Sequence, residues 1–216
     1  MTSYRNGVDM PVSETPKQLS LDLWGSGGEP LPSPTKFSES NWFYAVLLED
    51  FVANRVGKLA NLCRSQHGLS GPIRPARNRH ISLFGLGGGQ DFPAEIVEAA
   101  KHAGGLVEAA PFDVTVESLL SYNNKSPLPL VLEFADGTVA LRSLRHSIAA
   151  AWERLGLALG RLPSFTPHVT LLYDRKSVPR TALDEPICWT VRDFVLVQSH
   201  VGQSRYTIHG RWPLNA

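Results

Sequence analysis

Two four-residue segments of this chain share one pattern: a histidine, an apolar residue, a hydroxyl residue and a leucine. They are His80-Ile81-Ser82-Leu83 and His168-Val169-Thr170-Leu171. An imidazole takes up and releases protons near neutral pH, and a hydroxyl group donates hydrogen bonds to phosphate oxygens. Two such pairs supply an acid, a base and two phosphate-binding groups. They are therefore the groups needed to cleave a phosphodiester by proton transfer, without a metal ion.

Each segment is predicted to be a β-strand, and this places its polar residues together. Side chains alternate between the two faces of a strand, and those on one face are about 6.6 Å apart. His80 and Ser82 therefore share one face, and Ile81 and Leu83 point into a core. The same alternation separates His168 and Thr170 from their apolar neighbours.

The apolar periodicity along the rest of the chain predicts the elements that position these two strands. Helices are predicted over 51–66, 93–102 and 142–155. Strands are predicted over 42–48, from His80 to the glycines at 85–89, and over 112–120, 128–134, 166–173, 187–198 and 205–212. We interpret the glycine run as a flexible turn that ends the first motif strand, since it lacks the spacing of a phosphate-binding loop. This order of elements is typical of two similar α+β lobes, each of which gives one motif strand to a shared cleft.

The motifs resemble those of the 2H phosphoesterase superfamily, most closely the bacterial RNA 2′,3′-cyclic phosphodiesterases once called 2′-5′ RNA ligases. The resemblance covers residues 42–213 and rests on the stretches 79–87 and 166–173. Ser82 stands where the family more often has threonine. The resemblance implies an α+β fold of two pseudo-symmetric lobes of antiparallel sheet, with helices on the outer faces and the catalytic cleft between the lobes.

The resemblance also implies the roles of these residues. His80 would donate a proton to the leaving ribose oxygen and His168 would accept one from the attacking water, so that the bond to the 3′ oxygen breaks and a 2′-phosphate forms. The residues themselves leave the opposite assignment open. Ser82 and Thr170 would bind the nonbridging phosphate oxygens. The expected substrate is an RNA or a nucleotide with a cyclic phosphate, and we expect no metal ligands and no cofactor. Ligation, the reverse reaction, is an alternative that an aqueous solution disfavours.

Further candidates for substrate binding lie next to the two motifs. Arg74 is predicted to bind a flanking phosphate, and Arg77 and Arg79 are weaker candidates in the same loop. Arg79 directly precedes His80 and should face away from the cleft. Tyr173, or Phe84, could stack on a nucleobase, although packing in the core is the more conservative interpretation of both.

Composition excludes several functional classes. The 216 residues carry a net charge of +1, so no overall basic surface points to nucleic acid. No apolar run is long enough to span a membrane, and the N-terminus does not resemble a signal peptide. Two isolated cysteines, Cys63 and Cys188, fit a reducing compartment. We therefore expect a cytoplasmic protein, and we expect it to be a monomer.

The first 40 residues differ in composition from the remainder, residues 41–216. They hold five prolines, four glycines and seven serines, and we predict a flexible tail. Within it, residues 18–25 read Gln-Leu-Ser-Leu-Asp-Leu-Trp-Gly, which resembles the peptides that dock bacterial proteins onto the DNA sliding clamp through residues such as Gln18, Leu19, Leu21 and Leu23. The alternative is that these leucines pack on their own domain or pair with a sheet edge. Clamp docking would suit an accessory protein that merely binds phosphorylated ends.

Overall fold

The protein is described here by a computed structural model, which covers residues 40–89, 92–123, 126–157 and 162–215. The apolar peptide at 18–25 lies outside these residues. Within them there are eight strands and three α-helices, besides one 3-10 turn (Ala76–Asn78). They are β1 (Ser40–Leu47), α1 (Asp50–Gln66), β2 (His80–Gly88), α2 (Ala94–Gly105), β3 (Phe112–Ser121), β4 (Leu128–Asp136), α3 (Thr138–Arg154), β5 (His168–Asp174), β6 (Thr181–Val191), β7 (Asp193–His200) and β8 (Arg205–Pro213).

The strands form one antiparallel sheet in the order β6-β3-β4-β5-β2-β1-β7-β8. Each motif strand is the inner edge of a four-stranded lobe, β5-β4-β3-β6 on one side and β2-β1-β7-β8 on the other. The lobes meet through the short β2–β5 contact, where Ile81 pairs with Val169. The predicted α+β fold with two lobes of antiparallel sheet is thereby confirmed.

The helices cover the apolar face of this sheet. Helix α1 buries a stripe at three- and four-residue spacing that includes Val52, Val56, Ala60 and Cys63. Tyr44 of β1 ties the other two helices to the sheet, because its hydroxyl donates to the carbonyl of Ala100 (2.6 Å) and accepts from the indole of Trp152 (3.2 Å). None of the described helices is long and apolar enough to cross a membrane.

Two details of the predicted strands are wrong. The single strand predicted over 187–198 is two strands, because β6 pairs with β3 in one lobe and β7 pairs with β1 in the other. Apolar segments lie on both sides of the charged pair at 192–193, so the pattern was interpreted as one strand and does not reveal the change of partner. The glycines from Gly85 to Gly88 do not end the first motif strand either. They continue β2, and Gly85 pairs with Phe43 of β1.

Helix bounds also differ from the sequence expectation. Helix α3 begins at Thr138, four residues before the predicted start at 142. Gly137 precedes it with a φ of 80°, a conformation that glycine adopts without strain. A Cβ at this position would lie 2.7 Å from the carbonyl oxygen of Asp113. The Asp136-Gly137 turn was therefore predicted correctly, and the helix follows it directly.

Candidate active site

The contact between the two lobes determines which way the motif side chains point. Ile81 and Val169 pair across the contact, and both are fully buried in the core. Directly opposed residues of an antiparallel pair project to the same face, and their neighbours along each strand project to the other. The histidines and hydroxyl residues of both motifs therefore project together from the face opposite the core.

His80 is held by its own backbone segment. Its Nδ1–H donates to the carbonyl oxygen of Asn78 at 2.8 Å, and since a carbonyl only accepts, Nδ1 carries the proton. Its Nε2 then faces the hydroxyl of Ser82 at 3.0 Å. The ring lies between Phe43 and Tyr206, with centroid distances of 5.1 and 5.5 Å.

Burial in this aromatic surround lowers the pKa of His80 to about 4, because a charged imidazolium loses hydration there. The hydrogen bond to Asn78 acts in the opposite direction, whereas electrostatic repulsion from the nearby Arg74 and His168 side chains lowers the pKa of His80 further. His80 is consequently neutral at pH 7 when the cavity holds no anion.

His168 is anchored in the same way. Its Nδ1–H donates to the carbonyl oxygen of Thr166 at 2.8 Å, again the residue two positions earlier. The ring of Tyr122 meets its ring edge-on, with centroids 5.4 Å apart and planes at 70°. In both histidines the backbone occupies Nδ1, so Nε2 is the nitrogen left for proton transfer.

The six residues predicted for the site line one cavity of about 220 Å³. They are Arg74, His80, Ser82, His168, Thr170 and Tyr173. The cavity is thus built from both lobes, and its wall brings two imidazoles, two hydroxyl groups and a guanidinium together. These groups can exchange protons and bind an anion at one place.

Arg74 and Tyr173 meet at one side of this cavity. The Arg74 guanidinium lies over the Tyr173 ring, 5.3 Å from its centroid, and the Arg74 backbone N–H donates to the carbonyl of Leu171 at 2.8 Å. Tyr173 is 37% exposed, so the alternative interpretation of it as a core residue is wrong. Phe84 is only 6% exposed and packs in the core.

The other two arginines of the loop face elsewhere. Arg79 is buried, and its guanidinium donates to the carbonyl of Ala53 in α1, as its alternation with His80 predicts. Arg77 lines a different cavity, near the start of α1, and points toward the carbonyl of Ser204. Neither of them lines the cavity that holds the histidines.

Sequence reasoning missed five residues that line the same cavity: Asn41, Phe43, Asn78, Ser199 and Tyr206. All but Asn78 lie on β1, β7 or β8, which pair side by side in one lobe. Burial raises the pKa of Tyr206, so its phenol keeps its proton and can donate to an anion. Among the described residues, no group of three or more His, Cys, Asp or Glu side chains could hold a metal ion.

Comparison with known proteins assigns the family. A sequence model of the 2′-5′ RNA ligase superfamily matches residues 49–203. The chain belongs to this superfamily. No curated protein matches it.

Solved structures similar to this superfamily member share its fold. A protein of Thermus thermophilus is 24% identical, with a TM-score of 0.64 over 81% of this chain and 97% of that chain. E. coli LigT is 22% identical in its complexes with 3′-AMP and with ATP, with TM-scores of 0.67 and 0.65, and each match covers 82% of this chain and 99% of LigT. At this level of identity the likeness establishes the fold of the superfamily member, and its chemistry is argued from its own residues.

Proposed function

We propose that this protein hydrolyses 2′,3′-cyclic phosphate ends of RNA or nucleotides to 2′-phosphates without a metal ion. The observation that carries the proposal is the equivalent anchoring of His80 and His168. Each ring has Nδ1 bound to a backbone carbonyl at 2.8 Å, and both rings line one cavity. Two imidazoles held in this way serve as acid and base on opposite sides of one phosphorus atom.

In the proposed reaction a water oxygen attacks the phosphorus while Nε2 of His168 takes one of its protons. The bond from phosphorus to the 3′ oxygen breaks, and Nε2 of His80 gives that oxygen a proton. The product is a 2′-phosphate beside a 3′-hydroxyl, and each histidine has exchanged one proton. Ser82 and Thr170 donate hydrogen bonds to the nonbridging oxygens, where charge accumulates in the transition state. Arg74 supplies the fixed positive charge of the cavity.

The neutral state of His80 in the free protein bears on this assignment. An acid must enter the reaction protonated, so the anionic substrate has to raise the pKa of His80 when it binds. The superfamily resemblance supports His80 as the acid, and Arg74 helps to bring the required anion beside it. E. coli LigT was crystallised with 3′-AMP and with ATP, which supports a nucleotide as the ligand.

The test is hydrolysis of a nucleoside 2′,3′-cyclic phosphate, and of a short RNA that ends in one, in the presence of EDTA. We expect conversion to the 2′-phosphate by the full chain. The variants His80→Ala and His168→Ala should each be slower by ~10²-fold or more, the usual contribution of a general acid or base. His102→Ala is the matched control, because His102 is exposed near the end of α2. A folded full chain that converts neither substrate contradicts the proposal.

A second proposal concerns residues 18–25, which lie outside the described residues. We propose that this peptide binds the DNA sliding clamp, because its alternating leucines and Gln18 match the pattern of clamp-binding peptides. Replacing Leu19, Leu21 and Leu23 together by alanine should abolish association with purified clamp and leave hydrolysis unchanged. Equal binding of the clamp by both proteins, or by neither, contradicts it.

A further inference from the structure

A second cavity, of about 560 Å³, adjoins the first on the side of His168. The two share four residues: Ser82, His168, Thr170 and Tyr173. The larger cavity therefore offers adjoining space for the remainder of a molecule whose phosphate sits between the histidines. Its remaining wall combines apolar side chains, Phe84 and Phe165 among them, with polar ones such as Tyr122 and Glu133.

The described lining of this larger cavity lacks the lysine and arginine side chains that bind phosphates. Of the described residues that line it, none is a lysine or an arginine, and Glu133 contributes a carboxylate. The Arg145 guanidinium lies 4.8 Å from the centroid of Phe165 but is not part of the lining. Among the described residues that line the two cavities, Arg74 is the one arginine or lysine, and it lies in the smaller one. Further phosphates of a bound nucleic acid are therefore disfavoured in the larger cavity.

Glu133 is fixed in place with one oxygen available. It lies on β4 opposite His168 of β5, and its side chain is only 18% exposed. Within the described part of the chain its hydrogen bonds, from Ser118 at 3.5 Å and from Arg180, both reach Oε2. Oε1 accepts no hydrogen bond from these residues, so it remains as an acceptor for a ligand N–H group.

Tyr122 places a donor beside this acceptor. Its hydroxyl is buried and has no hydrogen-bond partner among the described residues. Burial and the negative charge of Glu133 raise its pKa, so the phenol stays protonated and can donate. Together Glu133 and Tyr122 place one acceptor and one donor in the lining of the cavity, and a few convergent polar groups of this kind fix the orientation of a bound ligand.

We infer that the larger cavity binds the nucleobase of the nucleoside that bears the cyclic phosphate, and that Glu133 selects bases with N–H donors at their Watson–Crick edge. The inference rests on the proposed function. Guanine presents two adjacent N–H donors to a carboxylate, adenine and cytosine present an amino group, and uracil presents one N–H between two carbonyl oxygens. Those carbonyl oxygens repel the carboxylate, so uracil is the base that Glu133 rejects.

The test compares kcat/KM for the 2′,3′-cyclic phosphates of guanosine, adenosine, cytidine and uridine. We expect guanosine to exceed uridine on the order of 10- to 100-fold, the range of one bidentate base contact. Glu133→Gln should bring this ratio close to one, because an amide both donates and accepts. Glu185→Gln is the matched control, since Glu185 is an exposed carboxylate that pairs with Arg55. Thermal unfolding checks that each variant is folded.

The outcomes separate this inference from the proposed function. Equal rates on all four nucleotides, or a guanosine preference that Glu133→Gln leaves intact, overturn the inference and leave the hydrolase proposal standing. If no nucleotide is hydrolysed, the proposed function fails. In that case calorimetric binding of 2′-GMP and 2′-UMP decides the base preference without turnover, and equal affinities overturn it.

Discussion

The two histidines share a backbone anchor and differ in their surroundings. Both donate Nδ1–H to the carbonyl two residues earlier, in the segment just before each motif strand, and this leaves Nε2 as the nitrogen available at the cavity. Only His80 is enclosed by aromatic rings of a neighbouring strand and of the edge strand β8. This enclosure removes hydration from a charged ring and so lowers the pKa of His80.

Binding of an anion should raise the pKa of His80 from its value of about 4 in the free protein. The negative charge of a bound 2′-AMP offsets the lost hydration of the imidazolium, and we expect an increase of roughly one to three pH units. Titration of the His80 ring proton signals by NMR, with and without 2′-AMP, measures it. Chloride at the same ionic strength is the control. A His80 that titrates near 6.5 in the free protein, or is unaffected by 2′-AMP, contradicts this.

The motif residues could be predicted from sequence, whereas the residues around them could not. The sequence alone identified the motif residues, because a local two-residue repeat determines the strand face to which each side chain points. These residues are His80, Ser82, His168 and Thr170. Tyr206 and Glu133 reach the site through strand pairing between distant segments. Nothing in their local sequence distinguishes them from other polar residues on a sheet. Only the register of β8 against β7 and of β4 against β5 makes them part of the site.

At the scale of elements, the loop before β2 is fixed to the end of β5. The Asp174 carboxylate accepts hydrogen bonds from the backbone N–H groups of Ser70 at 2.6 Å, Gly71 at 2.7 Å and Lys176 at 2.9 Å. The same loop carries Arg74 to its position over Tyr173. The strand that carries the second motif thus positions the Arg74 guanidinium, the positive charge of the cavity.

Gly71→Ala should disrupt this junction. A Cβ at residue 71 would overlap the carbonyl oxygen of Tyr173, which is backbone and cannot rotate away. We expect a lower melting temperature and a raised KM for a cyclic phosphate, because Arg74 moves with the loop. Gly105→Ala is the matched control, since a Cβ there would meet only the Trp212 indole nitrogen at 3.8 Å. Equal KM values for the two variants would show that the loop does not position Arg74.

Asp174→Asn should lower stability at neutral pH and have less effect in acid. The backbone N–H groups hold the pKa of this carboxyl well below its usual range, so the folded state binds its proton less readily than the unfolded state. That stabilisation is complete above the usual carboxyl pKa. It is lost as the pH falls below this value toward the pKa of Asp174 in the folded state. The difference in melting temperature between the two proteins should therefore narrow from pH 7 to pH 3. Asp184→Asn is the control, because the Asp184 carboxylate is exposed. A difference in melting temperature between the unsubstituted protein and Asp174→Asn that stays constant with pH would contradict this prediction.

The elements themselves were partly predictable. Strong periodicity located α1 within one residue at its start, because its buried stripe repeats every three or four residues. The crossing at Arg192 was missed because buried apolar segments lie close to it on both sides, up to Val191 and from Phe194 onward. The pairing partner of a strand is a property of the whole sheet, and the local pattern contains no information about it.

At the scale of the whole molecule, the site lies where two four-stranded lobes meet, and the contact between them is narrow. Ile81 and Val169 pair there with no exposure to solvent, directly behind the four motif side chains. Packing of these two side chains sets the separation of the histidines, since each belongs to the inner strand of a different lobe. Activity should consequently depend on apolar packing that never touches the substrate.

The variant Ile81→Ala tests whether activity depends on this packing, and Ile187→Ala is its control. Both isoleucines are at most 2% exposed, but Ile187 lies on the edge strand β6, far from the contact between the lobes. Each substitution should lower the free energy of unfolding by about 2–5 kcal/mol, the usual result of truncating a buried isoleucine. Only Ile81→Ala should also lower kcat, measured well below both melting temperatures, because the cavity it leaves lets the two lobes shift. Equal kcat values in the two variants would mean that the lobes are held at their working separation by the helices, and that the single strand contact is incidental to catalysis.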